Sequence, residues 1–157
     1  MKPIPTLAAA CILLAIAACS SSTTQRLPLP DQSVEVTDAT RSRIYVLRPP
    51  HAYGTATPVT VWETRAEDME IGALKSGTYL CWERKPGRTL VRAVARRATY
   101  EVEEQSDGLL AIDAEPGRAY YVTLELRRGD FKPELAVVAP EEGRAILARL
   151  APPPVNE

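Results

Sequence analysis

The chain has 157 residues, with 19 basic and 20 acidic side chains and a formal net charge of −1. This near balance excludes a general binder of nucleic acid or of another polyanion, because such proteins carry a marked basic excess. The length suits one domain and hardly two once an N-terminal leader is set aside.

Residues 1–18 have the pattern of a signal peptide. Lys2 is the only charged side chain before Arg26, and residues 7–18 are apolar. Such a short apolar run is typical of the central region of a secretory signal. It is too short to cross about 30 Å of hydrocarbon, which takes about 20 residues. The leader therefore predicts export rather than a membrane span.

The leader ends in Ile-Ala-Ala-Cys at residues 16–19, followed by a serine tract. This resembles a bacterial lipobox, which implies that Cys19 is the lipid-attachment residue, with a diacylglyceryl thioether and an N-acyl chain. Several acyl chains anchor a protein stably in a lipid bilayer, whereas one does so only marginally. Ser20 stands where an aspartate would resemble an inner-membrane retention signal, which favours the outer membrane. The alternative is an ordinary secretory signal, which would leave Cys19 free.

The two ends of the mature chain lack a sustained apolar pattern. Residues 19–40 are rich in Ser, Thr, Pro, Gln and Asp, a composition that predicts a flexible tether behind the acylated cysteine. Residues 151–157 are predicted to be a disordered tail. The folded domain is therefore expected over residues 41–150.

Short alternating runs fill that domain and predict strands. They lie at residues 43–48, 59–63, 71–74, 78–83, 89–95, 99–104, 109–112 and 119–126. A period of two, interrupted by turn residues, is typical of an all-β sandwich or barrel. Residues 71–74 and 78–83 are expected to form a hairpin. Val122 and Leu124 are expected to be buried in a central strand.

One segment, residues 141–150, reads as a short helix. Glu141 and Glu142 follow Pro140, and acidic side chains suit a helix N-terminus. Gly143 weakens the prediction because glycine disfavours helices. A final strand at residues 144–150 is the alternative.

Four motifs together suggest a family. They are Arg-Ile-Tyr-Val-Leu-Arg-Pro at 43–49, Ile-Gly-Ala-Leu-Lys-Ser-Gly-Thr-Tyr at 71–79, Pro-Gly at 86–87, and Pro-Gly-Arg-Ala-Tyr-Tyr-Val at 116–122. The chain resembles small bacterial lipoproteins that carry a β-sandwich domain of unknown function. The resemblance implies an immunoglobulin-like or transthyretin-like sandwich of about seven to nine short strands. It supplies no catalytic residue and no agreed ligand.

The candidate binding surface combines arginines and tryptophans. Arg88, Arg92 and Arg96 share one face of a predicted strand and could meet lipid or lipopolysaccharide phosphates. The alternative is an edge strand protected from aggregation by its charges. Trp62 and Trp82 could stack on sugars, although such residues more often fill a sandwich core.

The remaining reactive side chains predict no enzyme site. His51 is the only histidine, and the sequence nominates no other ligand that would make it a metal centre. Cys81 lies between Leu80 and Trp82 and is expected to be a buried, inert thiol. We therefore predict no catalytic residue, no metal and no cofactor.

These patterns lead to three functional hypotheses. The first is a lipid-anchored outer-membrane protein, facing the periplasm, with a non-enzymatic binding or assembly role and an envelope protein as its partner. The second is a module that binds peptidoglycan or surface polysaccharide. The third is a small hydrolase. Nucleic acid is not expected as a partner of any of the three.

Overall fold

The computed structural model describes residues 23–51, 53–98 and 103–154. The predicted signal peptide, Cys19 and most of the strand predicted at 99–104 lie outside these residues. Their assignments stay predictions.

Within the described residues the chain forms nine strands and one short helix, which confirms the predicted all-β sandwich. The elements are β1 (Thr24–Gln25), β2 (Ser42–Arg48), β3 (Val59–Thr64), β4 (Asp68–Leu74), β5 (Thr78–Arg84), β6 (Gly87–Ala98), β7 (Glu103–Ala114), β8 (Ala119–Leu126), β9 (Pro133–Val138) and α1 (Pro140–Leu147). One sheet has five strands in the order β1-β4-β3-β6-β7. The other has four in the order β5-β2-β8-β9.

Strand β2 lies inside the four-stranded sheet and organises it. It pairs antiparallel with β5 and parallel with β8, the latter from Arg43 opposite Ala119 to Leu47 opposite Thr123. All seven of its residues are buried. Full burial on both faces means that this sheet is covered on its outer side as well as on the side facing the other sheet.

The main core lies between the two sheets. Alternate residues of each strand point inward, as Val59 and Val61 do on β3 and Ile44 does on β2. Val122 and Leu124 also lie in this core, and Leu124 is only 1% exposed, which confirms the predicted face of β8. Burying a side chain of this size stabilises the fold by about 1.5–3 kcal/mol.

A second apolar cluster covers the outer face of the four-stranded sheet. It contains Tyr45, Leu47, Tyr79, Cys81, Tyr121 and Leu150, with Leu29, Ile146 and Leu147 packed against it. Helix α1 lies over Tyr121 on this face. The segment predicted as helix or strand is therefore a helix.

Gly143 allows that helix to approach the sheet. A Cβ at this position would lie 2.2 Å from Cγ of Tyr121, much closer than two carbon atoms can pack. The glycine that weakened the helix prediction is thus required by the contact between helix and sheet.

The flexible tether predicted at 19–40 is wrong for its described part. Thr24–Gln25 pair with β4, and the side-chain amide of Gln25 both donates to the carbonyl of Cys81 at 2.7 Å and accepts from its N–H at 2.9 Å. The disordered tail predicted at 151–157 is wrong at its start, because Ala151 bridges to Thr78 and Pro153 is buried. Composition misleads here because polar residues can dock through backbone and amide hydrogen bonds without an apolar pattern.

The hairpin predicted from 71–74 and 78–83 is also wrong. Strands β4 and β5 belong to different sheets, and the turn between them carries the chain from one sheet to the other. The buried guanidinium of Arg48 holds this corner by donating to the carbonyls of Gly54, Thr57 and Leu74 at 2.7–2.9 Å. Alternation alone does not distinguish such a corner from a hairpin.

Candidate functional site

The outer face of the five-stranded sheet is not covered by any described residue in the way that the other sheet is. We call this surface the open face. It is formed by outward-pointing residues of β3, β6 and β7, with Asp68 at the start of β4. Its central members are Trp62, Leu90, Arg92, Asp107 and Leu109.

Arg92 lies at the centre of the open face. It is opposite Trp62 on one side and Leu109 on the other, and its guanidinium carbon is 5.6 Å from the centre of the Trp62 ring. Its Nη2 is 3.0 Å from Oδ2 of Asp68, and its Nη1 is 3.8 Å from Oδ2 of Asp107. Leu109 is 63% exposed beside this cluster. The result is a surface with an aromatic ring, an exposed aliphatic side chain and charges of both signs.

The register of β6 shows which residues lie beside the three arginines predicted to form a binding surface. The residues opposite Arg88, Arg92 and Arg96 on β7 are Asp113, Leu109 and Gln105. The three arginines do share a face, but Arg92 is held by two aspartates and Arg88 has one opposite it. A surface with this interleaving of charge lacks the uniform positive potential that phosphate-rich ligands select.

Trp82 does not belong to the binding surface, so that part of the prediction is wrong. It is 1% exposed in the core between the sheets, and its Nε1–H donates to Oε2 of Glu63 at 2.8 Å. Tyr45, Tyr79 and Tyr121 are buried as well. Trp62 is therefore the one half-exposed member of this group of aromatics. A cluster of exposed rings for stacking on sugars is not present among the described residues.

A buried polar cluster lies under the end of β3, and the sequence analysis missed it. Glu63 is 2% exposed; Oε1 accepts from the hydroxyl of Thr89 at 2.9 Å and lies 2.6 Å from Nε of Arg84. The last contact is an ion pair rather than a well-directed hydrogen bond. The available signal was that Glu63 continues the inward series of Val59 and Val61.

A cleft of about 640 Å³ opens beside this cluster. The turns β3–β4 and β5–β6 and the residue before β2 form its walls. Its lining residues are Arg41, Glu63, Arg65, Ala66, Glu67, Met69, Glu83, Arg84 and Lys85. A cleft that combines an apolar wall with a few convergent polar groups is a candidate binding site.

Arg43, by contrast, has a structural role. Its side chain is fully buried, and its guanidinium donates to Glu83, to the carbonyls of Asp31 and Val34, and to Thr37. Burial opposes the charge of Glu83, but hydrogen bonds from Thr37 and Arg43 outweigh it, so the pKa of Glu83 is lowered. These contacts hold the N-terminal segment on the sheet.

Cys81 and His51, the other candidate reactive residues, do not line this cleft. Burial raises the pKa of the Cys81 thiol to about 12, and the residue is fully buried, as predicted. His51 is exposed, and its Nδ1 accepts from the N–H of Tyr53 at 3.2 Å. In the described part of the chain, no group of three or more His, Cys, Asp or Glu residues could hold a metal ion.

Comparison of the chain with protein-family models, with curated proteins and with solved structures gave no match. The resemblance to small lipoproteins therefore stays a prediction. No helix within the described ranges is long and apolar enough to span a bilayer.

Proposed function

We propose that the chain is a lipid-anchored lipoprotein of the bacterial outer membrane, facing the periplasm, and that it binds a partner protein of the cell envelope through the open face. The lipobox at 16–19 supports the anchor. The open face supports the binding role because it is the broad side of a sheet whose counterpart in the same molecule is covered. The domain has no catalytic part in this proposal.

The exposed Leu109 beside the Trp62–Arg92 pair carries the proposal. Tryptophan and arginine are enriched at the energetic centres of protein interfaces, and charged residues usually form the rim. Here the apolar side chains of Trp62 and Leu109 flank the central Arg92, and the carboxylates of Asp68 and Asp107 pair with it. Interleaved charges favour a partner that also presents both signs, which is typical of a protein rather than of a polyanion.

The two rival functions have less support. A glycan-binding module needs several exposed rings, whereas among the described residues Trp62 is the one aromatic on the open face, with the Arg92 guanidinium over it, and the half-exposed Tyr53 and Phe131 stack on each other. A hydrolase needs two carboxylates free to act. At the cleft, Glu63 is held by Arg84 and Glu83 is held by Arg43.

The anchor is tested at Cys19. We expect Cys19→Ala to leave the precursor uncleaved by the lipoprotein peptidase and without acyl label. Incorporation of labelled palmitate is measured for the variant and the natural chain, with Cys81→Ala as a matched cysteine control that should label normally. Palmitate on the Cys19→Ala protein would show that the lipobox assignment is wrong.

The open face is tested by photo-crosslinking in intact cells. A photoreactive residue at Leu109 of the full chain should give one discrete protein adduct, and Arg92→Glu should abolish it. The same residue at Val137, which is also exposed but lies on the other sheet, is the control and should not give that adduct. A missing adduct at Leu109, or the same adduct from Val137, would contradict the docking role. An adduct that muramidase digestion removes would favour the glycan module instead.

A further inference from the structure

The cleft contains buried guanidinium nitrogens that have no hydrogen-bond partner among the described residues. The side chain of Arg84 is 3% exposed; its Nη1 donates to the carbonyl of Gly87 at 2.8 Å, while Nη2 has no hydrogen-bond partner. Arg41 donates from Nη2 to the carbonyl of Glu83 at 2.8 Å, while its Nε has none. Buried donors in native proteins are nearly always satisfied, so each exception calls for an explanation.

The charges around the cleft do not balance. Arg41, Arg65, Arg84 and Lys85 line it, and Glu63 neutralises Arg84. Glu83 is taken by Arg43, which lies outside the lining. Among the described residues, Arg65 and Lys85 form no ion pair, and Glu67 is the one remaining carboxylate of the lining. The cleft is therefore left with a positive excess.

The surroundings of Arg84 also favour a bound anion. Burial lowers the pKa of Arg84; the Glu63 carboxylate opposes that effect, and the nearby charge of Arg65 lowers it further. A cation that is desolvated and repelled by a neighbour gains from an additional anion. The guanidinium group presents paired donors that match the two oxygens of a carboxylate or a phosphate.

We propose that this cleft binds a small soluble molecule through a carboxylate or phosphate group, with Arg84 and Arg41 as buried donors and Arg65 and Lys85 at the rim. The volume of about 640 Å³ lies within the usual range for small-molecule sites and exceeds what a bare ion needs. Met69 and Ala66 supply an apolar wall for the body of the ligand. The residues that line the cleft are not members of the open face, and the proposal does not depend on the partner proposed for that face.

The test uses the full acylated chain in a neutral detergent, with inorganic phosphate, phenyl phosphate and benzoate as probes. Backbone amide shifts are followed by NMR through the millimolar range. We expect at least one probe to bind saturably and to shift the amides of the β3–β4 and β5–β6 turns. Saturation with phosphates alone would assign a phosphate group, and saturation with benzoate alone would assign a carboxylate.

The double variant Arg65→Gln, Lys85→Gln should weaken that binding about tenfold or more, because two charge-assisted contacts are lost. The matched control is Arg128→Gln, Arg149→Gln, which removes the same charge from exposed sites outside the cleft and should bind as the natural chain does. All four positions lie in turns or on the surface, so both proteins should fold. If no probe saturates, or if both double variants bind equally well, the proposal is wrong.

Discussion

At the scale of single residues, the buried arginines of this domain have two different roles. The guanidinium groups of Arg43 and Arg48 donate hydrogen bonds to backbone carbonyls, and these bonds hold the surrounding segments in place. Only some of the donors of Arg84 form hydrogen bonds within the described residues, and this side chain lines the cleft. The alternation of the strands predicted which residues share a face. It did not predict which charged residues are buried, because that depends on partners far away in the sequence.

Removing the carboxylate of Glu63 should destabilise the domain strongly. Glu63→Ala leaves Arg84 without its counter-charge and the Trp82 N–H without its acceptor. Breaking a buried pair in this way typically costs about 3–5 kcal/mol. The free energy of urea unfolding measures it, with the exposed Glu125→Ala as a control that should change by less than about 0.5 kcal/mol. Equal values for the two variants would show that the Glu63 cluster contributes nothing.

Cys81 should make the protein sensitive to alkaline pH. Burial raises its thiol pKa from 9.0 to about 12, so the folded state keeps a proton that the unfolded state releases above about pH 9. Its contribution to stability is therefore full below pH 9 and declines as the pH rises toward 12, with a slope of up to about 1.4 kcal/mol per pH unit.

The slope is measured by urea unfolding of the natural chain and of Cys81→Ala between pH 8 and pH 10. Burial, and to a lesser extent the charge of Cys81, raise the pKa values of Tyr45, Tyr79 and Tyr121, so Cys81→Ala also removes part of the tyrosine contribution. The variant should show the smaller slope whatever its overall stability. Identical slopes would mean that folding does not shift the pKa of the Cys81 thiol, as expected of an exposed cysteine.

At the scale of elements, the period of two in the sequence predicts where the strands lie, but it does not predict which strands pair with each other. The motif at 43–48 became β2, with both faces buried, and residues 119–126 became β8 with the predicted inward face. The adjacent runs at 71–74 and 78–83 separated into two sheets because Arg48 and the turn at Gly77 form a corner there. Residues 23–40 were misassigned because their docking rests on hydrogen bonds from polar side chains.

The contact between α1 and the sheet predicts that replacing Gly143 by alanine lowers stability, whereas helix propensity alone predicts that it raises stability. Alanine favours a helix over glycine by about 0.8–1 kcal/mol, yet Gly143→Ala should destabilise the protein. A Cβ would meet the ring of Tyr121 at 2.2 Å, and such overpacking costs about 1–3 kcal/mol. Thermal unfolding checks this against Glu142→Ala, an exposed neighbour in the same helix. A higher midpoint for Gly143→Ala would show that the helix does not pack on Tyr121.

At the scale of the whole molecule, the two sheets differ in how they meet their surroundings. The four-stranded sheet is buried on both sides, by the main core and by the cluster under α1. The five-stranded sheet packs its inner side in the main core, and among the described residues its outer side has no second apolar cluster, although Val94 on that side is 4% exposed. Composition and alternation predicted the sandwich, but they could not predict this asymmetry, since it arises from the docking of Leu29 and of the residues of and after α1 on the four-stranded sheet.

The core between the sheets should respond to loss of volume. Leu124→Ala removes a side chain that is fully enclosed, and the lost transfer energy and residual cavity should cost about 2–5 kcal/mol. Urea unfolding of the full chain in detergent measures the change. Val137→Ala, at an exposed site on the neighbouring strand β9, is the control. A Leu124→Ala effect as small as the control would place this face outside the core.

The central claim is that a partner covers the open face in the cell. Hydroxyl-radical footprinting of Trp62 and Leu109, compared between the purified protein and intact cells, tests it most directly. We expect both side chains to be oxidised in the purified protein and severalfold protected in cells, while Val137 is oxidised equally in both. Equal oxidation of Trp62 and Leu109 in cells and in the purified protein, with Val137 as the internal standard, would contradict the claim.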